Sequence, residues 1–331
     1  MPKVSLIVPC YNEEKTIGLL LGAICQQSYP IAELEVVIAD GSSTDRTLAV
    51  IADFQKAHAD LSVRVVENPV RAIPAALNAA IRASQGEYLI RLDAHSMPES
   101  DYVARCVAAL ESSLGENVGG VWQIRPGGTG WVARSIAAAA AHPLGVGDAL
   151  YRFTTHAGLV DTVPFGAFRR TLIDRVGFFD ESLLTNEDYE FNVRIRQAGG
   201  KIWLDPAIRS TYFARSNLAA LAKQYFRYGY WKYRMLRRYP GTLRWRQALP
   251  PFFVLSLLLL VILSIFIPLA RFGLALEVGL YVCTMLLAGI RLAVQRKDGG
   301  LAAGVPLAIA CMHFSWGWGF LVSVVQSSRK V

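Results

Sequence analysis

An abrupt change in charge constrains the second half of this chain more than any other feature. From Arg209 to Arg246 there are ten basic residues and no acidic one, and beyond residue 248 only two acids remain, Glu277 and Asp298. Stretches 248–270 and 301–326 carry no Lys, Arg, Asp or Glu, and 272–290 is apolar apart from Glu277. About 20 consecutive apolar residues span the hydrocarbon core of a bilayer. The pattern therefore predicts three transmembrane helices, at about 248–270, 272–292 and 301–326. The whole chain is 18% charged, against about 25% in a soluble domain, and the deficit is concentrated here. Such a chain is neither disordered nor water-soluble throughout.

The net charge of +8 has two readings, nucleic acid or a cytoplasmic membrane face. The basic residues directly precede the first apolar stretch, as the positive-inside rule and attraction to anionic lipid require. The reading is therefore a membrane partner and no nucleic acid. The loop 291–297 carries three more cations and belongs on the same face. A third crossing then puts Arg329 and Lys330 on the opposite face, against the rule, which leaves a re-entrant segment open. Gly317-Trp318-Gly319 reads as close helix packing, between subunits of a homo-oligomer as one option. The five cysteines are scattered and fit neither a disulfide framework nor a zinc site.

The first 200 residues read differently. MPKVSLIVPCYNEE has too short an apolar run for a secretory signal, so this part is expected in the cytoplasm. Residues 4–9, 34–39, 63–66 and 88–92 are apolar, β-branched strand patterns, separated by helical patterns. That alternation indicates βαβ units and a mostly parallel sheet, whose ligands bind beyond the carboxyl ends of the strands. Asn12, Asp40 and Asp93 stand at such ends. Residues 97–110 read as a helix, 119–124 as a strand, 131–141 as an alanine-rich packed helix and 142–160 as an irregular loop. His142 and His156 lie in that loop, where either is a candidate further ligand.

Asp93-Ala94-His95 ends a strand, so a carboxylate and an imidazole two residues apart can face one divalent cation; Mn²⁺ accepts both donor types. Asp40, ending a strand and followed by Gly-Ser-Ser-x-Asp, reads as a binding turn, or Ser42–Asp45 as a helix cap. Glu187-Asp188-Tyr189-Glu190 is either a solvated face or an acidic knot holding a general base.

Taken together, these segments resemble the family 2 glycosyltransferases. VSLIVPCYNEEKTIGLLL is similar to that family's nucleotide-binding start, LEVVIADGSSTDRT to its uracil-binding acidic turn, and GEYLIRLDAHS to its metal-binding DxD segment. VGFFDESLLTNEDYEFNVRIRQAGGKIWLDP is similar to its acceptor-side segment. These cover about residues 3–210, in order. The DAH triplet and the string from Gln224 to Lys232 look closest to membrane-attached exopolysaccharide enzymes of the succinoglycan glucosyltransferase kind. The resemblance implies an α/β GT-A fold: a Rossmann-like mixed sheet with helices on both faces, followed by the membrane helices. It implies domains at 1–215 (cytoplasmic transferase), 216–247 (basic amphipathic interfacial segment) and 248–331 (membrane).

Carried over by position, Pro9 and Tyr11 line the nucleotide base, Asp40 accepts from the uracil, and Glu13 lies near the ribose. Asp93 sits near the ribose and the metal, and His95 takes the last metal-ligand position, with Mn²⁺ or Mg²⁺ as cofactor. Asp188 is the catalytic base, beside Glu187. Gln224, Arg227 and Tyr228 resemble the QxxRW string of processive membrane synthases, with Tyr for Trp. With Lys232 they would meet the diphosphate and the acceptor; the other reading is a purely interfacial helix.

The implied activity is metal-dependent, inverting transfer from a nucleotide-diphosphate sugar, UDP-linked by the resemblance, to a lipid-linked saccharide. A polyprenyl-phosphate sugar synthase and a processive synthase are the alternatives. A nucleotidyltransferase would want a glycine-rich, Lys-bearing phosphate loop, which VPCYNEEK lacks, and a scaffold would not need acids at successive strand ends.

Overall fold

Four parallel strands carry the first half of the sheet: β1 (Val4–Cys10), β2 (Leu34–Asp40), β3 (Ser62–Glu67) and β4 (Tyr88–Arg91). The computed structural model describes residues 2–328. Helices α1 (Ile17–Cys25), α2 (Thr47–Ala57) and α3 (Ile73–Ala83) connect these strands. Then come β5 (Met97–Pro98), α4 (Tyr102–Glu111), β6 (Asn117–Arg125), α5 (Trp131–Ala140), α6 (Pro143–Val146), β7 (Gly158–Leu159), β8 (Ala167–Arg169), α7 (Thr171–Val176), α8 (Glu187–Gln197) and β9 (Ile202–Phe213). The C-terminal helices are α9 (Leu218–Arg238), α10 (Trp245–Phe266), α11 (Pro268–Arg296) and α12 (Gly300–Ser328).

Among the described residues the strand order is β3-β2-β1-β4-β8-β6-β9-β5, with β7 on β9. The register turns antiparallel at β4–β8 and stays so at β8–β6 and β9–β5. The sheet is thus mixed, with a parallel block at one end. Side chains alternate across it. Leu6, Val8, Val36 and Ile38 join α1, α2 and α4 in one buried core, while Ile7, Val37 and Ala39 join α3, α7 and α8 in another. Helices therefore cover both faces.

Met97 and Pro98 do not begin a helix. They pair with Thr211 and Ser210 of β9, and the helix starts at Tyr102. Met97-Pro98 follows the Asp93 turn in extended form, and the backbone bond from Glu99 to Arg209 prolongs that pairing. Residues 142–160 contain a short helix and a short strand rather than one loop.

The chain forms two compact units. One comprises residues 1–123 and 150–212 and contains most of the sheet; the other comprises 124–149 and 213–331. Residues 124–149 thus cluster with the C-terminal helices, a grouping that one cut at 215 does not describe.

In the second unit α10, α11 and α12 are long and apolar enough to cross a bilayer, with mean hydropathy 2.6, 1.8 and 1.5. α10 and α11 run antiparallel: Phe253 stacks on Tyr281 and the Ser256 hydroxyl donates to Glu277 (2.6 Å). Two proline-orphaned carbonyls are satisfied by side chains. Pro251 cannot donate to Gln247 O, and the Trp316 indole does so instead (3.2 Å). Pro268 likewise leaves Ser264 O to Arg271 Nε (2.8 Å). α5 packs on the start of α12, where Arg134 forks onto Asp298 (2.7 and 3.4 Å). α9 lies along the second half of α12 because glycines face backbone there. A side chain on Gly229 would strike the Trp316 carbonyl, and one on Gly319 would strike Phe226 O. Arg329 and Lys330 lie outside the described residues.

Candidate active site

The carboxyl ends of β1, β2 and β4 bring two walls together. Cys10-Tyr11-Asn12 leaves β1 and Asp40-Gly41-Ser42 leaves β2. Asn12 and Ser42 both adopt left-handed backbone, φ 54° and 58°. Asp40, buried, accepts from the Ser43 amide (2.9 Å) and hydroxyl (2.6 Å). Asn12 N donates to Ser43 Oγ (2.9 Å), and Thr44 N donates back to Asn12 Oδ1 (2.8 Å). Glu13 N donates to Thr47 Oγ1 (2.8 Å), and Arg46 N to Glu14 Oε2 (3.0 Å). The two loops are thereby tied to each other by side-chain hydrogen bonds. Tyr11 is exposed beside them, with the Arg71 guanidinium 5.2 Å from its ring centre. Pro9 lies one turn of backbone inside, half-buried on β1.

At the end of β4 stands a residue that the sequence reading did not single out. Arg91 is 3% exposed and gathers three carboxylates. Its Nη2 reaches Asp93 Oδ1 (3.1 Å) and Glu187 Oε1 (3.0 Å), and its Nη1 pairs with Asp188 Oδ1. Asp93 follows Arg91 by two residues, just past the end of β4, whereas Glu187 and Asp188 open α8. That helix is fixed behind them. Asn192 donates to Thr162 Oγ1 (2.9 Å) and accepts from Asn117 (2.7 Å). Buried Glu190 takes both Arg194 nitrogens (2.6 and 2.9 Å). The signal for Arg91 was available: an Arg closing a wholly apolar strand needs buried acidic partners.

Three carboxylates around one guanidinium leave a net charge of −2 if all ionise. The consequence falls on Asp188. Its enclosure pushes its pKa up and Arg91 pulls it down, while Glu187 and Asp93 push it up again; the outcome is about 7. Its side chain keeps 28% exposure, so one edge faces water.

His95 Nδ1 lies 2.9 Å from Glu13 Oε1. Burial alone would push the Glu13 carboxyl up, but the bonds from His95 and Thr16 outweigh it and hold it below the usual value. An ionised Glu13 accepts only, so Nδ1 carries the proton and the lone pair of a neutral imidazole is on Nε2. Glu13, expected near the ribose, is thus the carboxylate that orients His95.

Among the described residues no three His, Cys, Asp or Glu side chains form a metal cage. Asp93 and an oriented His95, next to the acidic cluster on Arg91, nonetheless offer a carboxylate and an imidazole that would suit a divalent cation.

The remaining candidates, His156 apart, lie in the second unit. Gln224 Nε2 donates to the Tyr228 hydroxyl (2.8 Å), and Tyr228 meets Trp316 edge-on. Arg227 is exposed. Lys232 is a correction: it is 1% exposed, with Nζ directed to Thr242 O at 3.4 Å. It is packed inside the C-terminal end of α9, not presented on the surface beside Arg227. His142 caps α6, its Nδ1 accepting from Leu144 N (3.2 Å), and His156 donates its backbone N–H to Thr154 Oγ1 (3.2 Å).

The model of the family described as Glycosyl transferase family 2 matches residues 5–177, just over half of the chain. The chain belongs to that family. As a family 2 glycosyltransferase it is similar along almost its whole length to two curated relatives. One, from Methanococcus voltae, is named dolichyl N-acetyl-alpha-D-glucosaminyl phosphate 3-beta-D-2,3-diacetamido-2,3-dideoxy-beta-D-glucuronosyltransferase (28% identical; 98% of each chain). The other is the succinoglycan biosynthesis protein ExoA of Rhizobium meliloti (29% identical; 98% of this chain, 96% of that one). Among solved structures, the mannosyltransferase PcManGT of Pyrobaculum calidifontis, in complex with GDP-Man and Mn²⁺, superposes with a TM-score of 0.63 (20% identical; 96% of this chain, 87% of that one). That likeness shows the GT-A fold of this family 2 glycosyltransferase.

Proposed function

We propose that this glycosyltransferase moves a sugar, with inversion, from a nucleotide-diphosphate sugar to a lipid-linked saccharide at the cytoplasmic face of a membrane. The observation that carries the reading is the Arg91 cluster. It sets a partly exposed carboxylate of raised pKa, Asp188, on the same guanidinium as Asp93, which stands two residues before His95. Cytoplasmic placement rests on the ten cations at 209–246, and the lipid-linked acceptor on the three apolar helices and the names of the two curated relatives.

In this reading the loops tied by Asn12, Asp40, Ser43 and Thr44 form a stiff seat for the nucleotide, with Pro9 and Tyr11 against the base. Asp93 and His95 would hold Mn²⁺ or Mg²⁺, which when bound neutralises the negative charge that builds on the leaving diphosphate. Glu13 keeps His95 in the tautomer that presents Nε2. Asp188 takes the proton from the acceptor hydroxyl as it attacks in line, on the side opposite the departing diphosphate, so one base suffices. Arg91 holds Asp188 in place and keeps its pKa from rising further.

Purified full-length protein is expected to lose activity to a chelator and regain it with Mn²⁺ more readily than with Mg²⁺. His95→Ala should raise the Mn²⁺ concentration needed for half-activity by about 10–100-fold, the usual effect of disturbing a metal site. Turnover that ignores the chelator would refute the metal role.

A base must be unprotonated to act, so the acid limb of kcat/KM is placed at about pH 7 by the raised Asp188. Below it the rate should fall tenfold per pH unit. A flat profile from pH 5 to 8 would rule Asp188 out. The decisive functional assay offers UDP- and GDP-sugars against a lipid extract, with the product's linkage determined. A product formed on free polyprenyl phosphate would favour the sugar-phosphate synthase instead.

A further inference from the structure

A groove of about 600 Å³ runs between α9 and α12 in the second unit, lined by Ala222, Lys223, Phe226, Arg227, Phe314, Ser315 and Trp318. Its two walls differ in chemistry. Lys223 and Arg227 stand one turn apart on α9, both exposed, on a segment with no acidic residue between Arg209 and Arg246. Phe314 and Trp318 stand one turn apart on α12, 43% and 50% exposed, with Phe226 on the facing helix. The helices run side by side in one direction: Cys311 Sγ donates to Leu218 O (3.4 Å), Gly319 meets Phe226, and the Tyr230 hydroxyl donates to Gln326 (2.8 Å). The groove thus has a cationic rim and an aromatic bed, along a helix apolar enough for a bilayer.

We infer that this groove seats the phosphate end of a polyprenyl phosphate or diphosphate, the lipid part of the acceptor. The assignment rests on the lipid-linked acceptor proposed above. Two cations on one helix face match a phosphate or diphosphate, the anion of such a lipid. Isoprene units pack on the faces of Phe and Trp rings, which offer large apolar surfaces. The volume lies in the range of small-ligand sites, enough for a phosphate and the first isoprene units of one chain.

The test uses the full chain in detergent without any sugar donor, so that it reads binding even if the transfer reading is wrong. A photoreactive polyprenyl phosphate should label peptides containing 222–227 and 314–318. Excess unlabelled polyprenyl phosphate should compete, and phosphatidylglycerol or inorganic phosphate should not. Trp318→Ala and Lys223→Ala should each weaken binding by about tenfold, the scale of one lost stacking or charge-assisted contact, while circular dichroism stays that of the parent. In the transfer assay the same variants should raise KM for the lipid acceptor and leave KM for the donor unchanged. Labelling elsewhere, equal competition by phosphatidylglycerol, or parental affinity in both variants would overturn the assignment. If labelling is as expected and no sugar is transferred, the seat stands and the transfer reading falls.

Discussion

Asp188→Asn should lower kcat by about 10²–10⁴-fold, the range that a positioned general base supplies. That corresponds to about 3–5.5 kcal/mol of transition-state stabilisation. Asparagine keeps the shape and can still meet Arg91, but it cannot take the acceptor's proton. Donor KM should change little, because the proposed nucleotide seat lies in the loops after β1 and β2, apart from Asp188. Stability should hold or rise, since the variant removes one of three carboxylates crowded on Arg91. The residual rate should also lose the acid limb at about pH 7, which ties the rate loss to the titrating group. Transfer of labelled sugar, followed across pH and compared with the melting temperature, checks all of these. A variant with parental kcat would remove Asp188 from the chemistry.

Arg91→Met should be the most damaging single change to the first unit. Methionine fits the volume but leaves three carboxylates enclosed with no cation. Removing one partner of a buried ion pair costs about 3–5 kcal/mol, and here three partners depend on one guanidinium. For a unit of this size the melting temperature should fall by roughly 6–20 °C. Adding Glu187→Gln should recover part of the loss by removing one repelling charge. Arg91→Lys should fall between, because a single ammonium cannot fork to Asp93, Glu187 and Asp188 together. A melting temperature for Arg91→Met within about 1 °C of the parent would mean that the three acids find other compensation.

These variants also mark where sequence reasoning reached and where it stopped. The ends of β1, β2 and β4 were legible because β-branched runs break sharply at Asn12, Asp40 and Asp93. Arg91 was passed over although its place at the end of an apolar strand was a signal, because one such charge also looks like an exposed terminus until α8 is known to cover it. Only the fold brings Glu187 and Asp188, nearly a hundred residues later, onto that guanidinium. Glu13 was noticed, but its role toward His95 is a contact across 82 residues that no local pattern encodes. The Lys232 reading failed because its place in a basic string implied a ligand, whereas packing at the end of α9 decided its direction. Hydropathy found the membrane helices, yet their boundaries shifted, since the turn at Ile267-Pro268 is as apolar as the helices it joins.

The grouping of 124–149 with the C-terminal helices has a consequence for how the chain is made. The buried alanine face of α5 packs on α12, and about 160 residues separate the end of one helix from the start of the other. At about 5–20 residues per second, α5 waits roughly 10–30 s for its partner. During that interval the ribosome holds a chain with an unmatched apolar surface in its middle. The unit that holds the three apolar helices is therefore closed only once α12 has been made.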